Sequence, residues 1–205
     1  MTDSVPASAA PTSLNLRASD RFVAYIHHLC ASKEACAALR RGLGLPVERC
    51  NTMHRYLVPW LRDHDNGHHG DARRAYYAVA SLIAARPRLA RDTTPDQDTS
   101  VSWLERDNLG ASLGQAVTHS VVKENSAESA LHLMARQSSD AIHPGLPALA
   151  RQLLAGGIAI DWAVLMEDLA WWNRSRDRIA TRWLESYFRI AAGPTPFDTA
   201  EENDR

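Results

Sequence analysis

The stretch from Asp161 to Arg189 constrains the fold most, because its apolar residues recur at the three-and-four spacing of helices. Two consecutive helices are predicted, with Asp161 as the N-cap of the first, after the helix-stopping pair Gly156 and Gly157. The predicted buried face of the first helix consists of Trp162, Leu165, Met166, Leu169 and Trp172. That of the second helix consists of Ile179, Trp183, Tyr187 and Ile190.

The second predicted helix carries a stripe of arginines opposite its apolar face. At about 100° per residue, four of them fall within a sector of about 80°, namely Arg174, Arg178, Arg182 and Arg189. The planar guanidinium group of arginine can bind phosphate through two hydrogen bonds. Of the 23 basic residues, 21 are arginines, although a high genomic GC content could also produce this bias. The stripe therefore indicates a phosphate-binding surface. The alternative is a solvated face on which Asp177 and Glu185 form helix-spaced ion pairs.

The rest of the chain also favours helices, and no segment in the N-terminal half alternates as a strand would. The predicted fold class is therefore all-α, with Ser32 and Ser112 as N-caps and Pro59 ending or kinking the third helix. The predicted helices before the final pair cover about 20–30, 33–44, 47–57, 71–86, 112–122, 126–137 and 147–155, with a short helical turn at 101–106.

A Pro/Asp/Thr-rich segment between the two groups of helices indicates a linker. The predicted arrangement is two small helical bundles, at 19–87 and 111–192, joined by a linker at 88–110. Residues 1–18 are predicted to be a disordered lead-in and residues 193–205 a disordered tail.

Charge is distributed unevenly although the net charge is only −1. Residues 1–91 contain 13 basic and 7 acidic residues, whereas residues 92–205 contain 10 and 17. Many of the acidic residues lie in the predicted linker and tail. The folded part of the chain is therefore expected to have a more positive net charge than the whole chain. No apolar run approaches a membrane span, and Cys30, Cys36 and Cys50 match no disulfide framework or zinc pattern. A cytoplasmic protein is therefore expected.

The chain carries no recognised catalytic motif. A GxSxG elbow, a Walker loop and a GxGxxG turn are all missing. The residues His64, Asp65, His68, His69 and Asp71 have the ligand types of a metal site, but they surround Asn66-Gly67 in an expected flexible loop. The prediction is a protein that is not an enzyme and has no metal or cofactor. Asp161, Glu167 and Asp168 are assigned cap and solvent-face roles.

Several elements together resemble one family. They are Phe22-Val23 in the first helix, ALRRGLGLP at 38–46, Tyr56 to Trp60, AYYAVASLIAA at 75–85, ASLG at 111–114, and IDWAVLMEDLAWWNRSRDR followed by RWLESYFR. This combination, which covers roughly residues 19 to 191, is similar to the CasB family, the small subunit of the type I-E CRISPR Cascade surveillance complex.

The resemblance implies a non-catalytic all-α protein of two bundles, present as two copies inside a guide-RNA ribonucleoprotein. Its expected partners are the guide RNA and target DNA, the backbone and large subunits of the complex, and a second copy of itself, with no membrane. In that family the small subunit lines a basic surface that holds the target DNA and the displaced strand. The basic positions that the resemblance assigns are Arg40, Arg41, Arg136, Arg151 and Arg174, with Arg176, Arg178 and Arg182 continuing the stripe.

Two other functions remain open from the sequence. One is an independent all-α DNA-binding regulator, which would need a recognition helix with base-reading side chains after a tight turn. The other is a metal-dependent hydrolase built on the His64 to His69 loop.

Overall fold

The computed structural model describes residues 17–64, 70–86 and 102–192, and within these ranges it contains helices and turns but no strand. The predicted all-α class is thus confirmed. The helices are α1 (Ala18–Leu29), α2 (Lys33–Arg40), α3 (His54–His64), α4 (Gly70–Ala85), α5 (Leu109–Thr118), α6 (Glu124–Arg136), α7 (Ser139–Ile142), α8 (Leu146–Ala155), α9 (Trp162–Ala170) and α10 (Trp172–Ala191). Short 3₁₀ turns cover Val47–Arg49, Trp103–Glu105 and His143–Gly145.

The predicted third helix at 47–57 is wrong at both ends. Val47–Arg49 forms a separate 3₁₀ turn, and α3 begins only at His54. It then continues through Pro59 to His64. Proline removes the hydrogen bond to the carbonyl four residues earlier, which belongs to the exposed residue Arg55, where water can replace it.

Helices α9 and α10 tie the N-terminal and C-terminal halves of the chain together. Helix α9 packs against α4 and α1, whereas α10 packs against α5 and α6. The tryptophans Trp162, Trp172 and Trp183 are each at most 1% exposed, and the buried side chains of both halves form one apolar cluster. The buried faces predicted for these two helices are therefore confirmed except at Ile190, which is half-buried, whereas the bundle boundaries stay a prediction.

Small residues let α5 and α10 approach closely. A Cβ atom on Gly110 would strike the backbone carbonyl of Trp183, and one on Gly114 would lie 2.9 Å from Cβ of Ile190. The predicted N-cap role of Ser112 is wrong, because the Asn108 side chain caps α5 by accepting from the Ala111 amide at 3.1 Å. Ser112 lies inside the helix and its hydroxyl donates to the Ala159 carbonyl at 2.9 Å.

A buried charged triad joins three separate parts of the chain. Arg106, after the 3₁₀ turn, donates two hydrogen bonds to the carboxylate of Asp161, at 2.7 and 2.9 Å. Its third nitrogen donates to Asp20 of α1 at 2.8 Å. The Arg106 side chain is only 7% exposed. Asp161 also caps α9 as predicted, accepting from the amides of Ala163 and Val164.

Several predictions lie outside the described residues, among them residues 1–16 of the lead-in, 88–101 of the linker, the tail at 193–205, and Asp65 to His69 of the histidine loop. In the part of the chain that is described, no helix is long and apolar enough to cross a membrane.

Candidate nucleic-acid interface

Three of the predicted arginines lie at the end of α2 and on α8, and the turn that follows α2 passes beside the first turn of α8. Helix α2 ends at Arg40, Arg41 is its C-cap, and both residues are exposed. The chain then turns at Gly44, whose φ of +71° is the left-handed conformation that favours glycine. A Cβ atom there would lie 3.5 Å from Cγ of Pro147 in the first turn of α8.

Arg151 is exposed on α8, four residues after Pro147 and therefore on the same side of that helix. We call Arg40, Arg41 and Arg151 the α2–α8 corner. Within the described ranges, none of these three side chains has a carboxylate partner. The corner therefore presents three positive charges that no carboxylate in the described part of the chain neutralises.

The predicted stripe on α10 is interrupted. The backbone leaves the helical conformation at Ser175, with φ −137° and ψ 26°, so that Arg174 lies before a kink and Arg178 after it. The regular angular spacing assumed for the stripe therefore does not hold across this point. Arg174 places its guanidinium carbon 5.6 Å from the centroid of the Trp171 ring, and Arg176 pairs with its neighbour Asp177 at 3.3 Å.

Arg182 is not a free outward charge, because it pairs with the carboxylate of Asp168. The solvent-face role predicted for Asp168 is wrong: the residue is 4% exposed and also accepts from the indole nitrogen of Trp183 at 2.7 Å. Burial raises the pKa of Asp168 to about 6, although the charge of Arg182 acts to lower it. Arg182 is thus held by a buried carboxylate, a partner that helical periodicity alone could not identify.

A groove of about 320 Å³ runs beside these residues. We call it the α9–α10 groove; its lining includes Arg17, Trp103, Leu104, Glu167, Trp171 and Arg178. Arg17 places its guanidinium carbon 4.1 Å from the centroid of the Trp103 ring, and it pairs with Glu167 at 3.4 Å. The groove therefore combines aromatic surface with arginine side chains.

Arg136 is exposed at the end of α6, on a polar face that also carries Glu128 and His132. The next residue, Gln137, accepts a hydrogen bond through its carbonyl from the indole nitrogen of Trp172 at 2.9 Å. Arg136 consequently lies close to the start of α10. The structure thus brings the predicted arginines into a corner, a groove rim and this helix end, and not into one continuous row.

The sequence reasoning missed three residues of the groove: Arg17, Trp103 and Trp171. Arg17 fell within the predicted disordered lead-in, and Trp103 fell in the short helical turn predicted within the linker, to which no function was assigned. Trp171 precedes the buried Trp172, and since neighbouring helical residues point about 100° apart, an exposed position was foreseeable. Elsewhere in the described ranges, no three His, Cys, Asp or Glu residues are placed to hold a metal ion.

Comparison with known proteins decides the family. The family model of the CRISPR-associated protein Cse2 matches residues 35–188, which is most of the chain. The chain belongs to the Cse2 family. No match was found among proteins of curated function.

Solved structures agree with membership of the Cse2 family. A chain of a CRISPR RNA-guided surveillance complex is 36% identical, with a TM-score of 0.72 over 85% of this chain and 94% of that one. A Cse2-family protein of Thermus thermophilus has a TM-score of 0.61 at 23% identity, covering 83% of this chain and 97% of its own. CasB of M. ruber has a TM-score of 0.67 at 23% identity, covering 87% and 96%. The last two show the shared fold.

Proposed function

We propose that the chain is the non-catalytic small subunit of a type I-E CRISPR Cascade ribonucleoprotein and that its exposed arginines hold nucleic-acid backbone. Membership of the Cse2 family and the likeness to a surveillance-complex chain support the assembly. Its partners would be guide RNA, target DNA, the backbone and large subunits of the complex, and a second copy of this chain.

The observation that supports backbone binding best is the α2–α8 corner. A surface arginine can stabilise a fold by pairing with a carboxylate or by lying at the C-terminal end of a helix. Arg40 and Arg41 do lie at the C-terminal end of α2, where a helix dipole favours cations, but Arg151 lies within α8. In the described part of the chain these three exposed arginines have no carboxylate partner, so their charges are available to backbone phosphates. Arg136 at the end of α6 and Arg178 in the groove are further exposed arginines. Arg174 contacts Trp171 and Arg176 pairs with Asp177, and the charge of Arg182 is largely neutralised by Asp168.

The mechanism follows from the energetics of strand exchange. When a guide RNA pairs with one DNA strand, the heteroduplex gains about as much stacking as the DNA duplex loses. Modest contacts to the backbone can therefore shift the equilibrium towards the open state. Arginines that neutralise phosphates act on any sequence, so base pairing with the guide still selects the target.

The experiment that tests the assembly is purification of the tagged full-length chain from its own cells. Guide RNA and the large subunits of the complex are expected to copurify with it. A chain that emerges alone and prefers one palindromic DNA site would be the regulator instead. Stoichiometric metal with nuclease activity, both lost when His64, His68 and His69 are replaced, would identify the hydrolase.

A further inference from the structure

The α9–α10 groove has features that phosphate binding does not require. Trp171 is 43% exposed on its wall, and Leu104 at its edge is 76% exposed. A single exposed apolar side chain needs no explanation, but two large ones at one groove form a patch of the kind that marks a binding site. Arg174 lies over the Trp171 ring, a contact that helps to hold the ring in position.

The groove also carries charge of the right sign for an anionic strand. Its lining contains three positively charged residues, Arg17, Arg178 and Arg182, and two carboxylates, Glu167 and Asp168. One net positive charge remains, and Arg178 at the rim is exposed without a carboxylate partner in the described part of the chain. An exposed tryptophan beside such arginines is the combination with which proteins stack a base and hold its phosphate.

We infer that the α9–α10 groove takes one unpaired base of a single-stranded nucleic acid, stacked on Trp171 with its phosphate near Arg178. The volume of about 320 Å³ lies at the low end of the range for small-ligand sites, which suits a single nucleotide. Stacking accepts every base, so the site would add affinity without sequence preference. The inference rests on the proposed function, because it assumes that the strand already lies along the arginine surface.

The direct test compares two labelled single-stranded deoxyoligonucleotides, one intact and one in which abasic sites replace the bases, on the wild-type chain. Stacking predicts tighter binding of the intact strand, by about 5- to 150-fold for one base. Equal affinity for the two strands would overturn the inference and would leave the groove to another occupant, such as a protein segment. This comparison needs no variant, so a folding defect cannot obscure it.

Variants then assign the effect to Trp171. Trp171→Leu is expected to lose the preference for the intact strand while the salt dependence stays unchanged, and Trp171→Phe is expected to restore most of it. Phe188→Leu is the matched control, because Phe188 is an aromatic residue of α10 with similar exposure, 45%, that lies outside the groove lining. A Trp171→Leu protein that keeps the wild-type preference would contradict the assignment.

The two proposals fail in different ways. If Trp171→Leu binds like wild type while Arg40→Ala and Arg151→Ala weaken binding, the stacking site is rejected and the arginine surface stands. If neither kind of variant changes affinity for the strand, both proposals are rejected.

Discussion

Single residues affect the stability of the fold most where charges are buried, and the sequence predicted these buried charges least well. Arg106 was placed in a linker, yet it lies between Asp20 and Asp161 with almost no exposure. Burial acts to lower the pKa of Arg106, but hydrogen bonds and charge from Asp161 and Asp20 outweigh it, so that the pKa is raised. Its partners are 86 and 55 residues away, and a pattern within one helix cannot reveal them.

Replacement of Arg106 by glutamine should destabilise the fold strongly, because two buried carboxylates would lose their counter-charge. We expect Arg106→Gln to lower the free energy of unfolding in urea by about 3–5 kcal/mol. The matched control is Arg55→Gln, whose pair with Glu34 is solvent-exposed and should matter by at most about 1 kcal/mol. Similar losses for the two variants would mean that the triad contributes no more than a surface pair.

His143 predicts a dependence of stability on pH. Burial lowers its pKa to about 4, with the charge of Arg74 also lowering it, while the bond from Nδ1–H to the Ser139 carbonyl at 2.6 Å opposes the shift. An unfolded chain protonates this histidine below about pH 6.5, and the folded chain does so only near pH 4. Stability from His143 is therefore present above pH 6.5 and is lost as the pH falls between these values.

The measurement is urea unfolding of wild type and His143→Gln at pH 7 and pH 5. The advantage of wild type should shrink by about 2 kcal/mol at the lower pH. Asp168 acts in the opposite direction, since its raised pKa of about 6 favours the folded state as the pH falls, but it is present in both proteins and cancels. A difference between the proteins that is the same at both pH values would refute the buried neutral state of His143.

At the scale of elements, periodicity predicted the long helices well and failed where packing decides. The three-and-four spacing predicted the apolar faces of α9 and α10, because each helix packs one long, regular face against the core. Periodicity did not predict the start of α3 or the short helix α7, because a turn of three or four residues is too short to show a periodic apolar pattern. The ASLG run at 111–114 was interpreted as a family signature with a serine cap, whereas the structure shows that Gly114 and the preceding Gly110 let the backbone of α10 approach closely.

A methyl group on Gly110 should disturb the packing of α5 on α10. Its Cβ atom would strike backbone atoms of Trp183, which cannot rotate away as a side chain can. Gly110→Ala is expected to lower the free energy of unfolding by about 1–3 kcal/mol. Gly145→Ala is the control, since nothing lies within 4 Å of its Cβ position, and it should change stability by no more than about 0.5 kcal/mol. Equal stability of the two variants would refute the close approach.

For the whole molecule, the sequence predicted the all-α class and the family, and both are confirmed. It predicted an arginine stripe on the last helix, which the fold interrupts at Ser175. The resemblance added Arg40, Arg41 and Arg151, which lie at the α2–α8 corner, and Arg136, which lies at the end of α6. The corner could not be predicted, because Arg40 and Arg151 are 111 positions apart and no local pattern reveals that Gly44 lies beside Pro147. The kink at Ser175 and the burial of Asp168 were likewise products of tertiary packing.

The arginine surface is tested most directly by the lifetime of the R-loop as a function of salt concentration in the assembled complex. The variant carries Arg40→Ala, Arg41→Ala and Arg151→Ala, and the control carries Arg55→Ala, which removes an exposed arginine that is already paired. The variant should shorten the lifetime equally on all matched targets and leave mismatch discrimination unchanged.

Its logarithmic salt dependence should flatten by about 0.9 for each lost contact to duplex, or about 0.7 for each lost contact to a single strand. Curves of the variant and of wild type that superimpose at every salt concentration would contradict the assignment of these arginines to the nucleic-acid backbone.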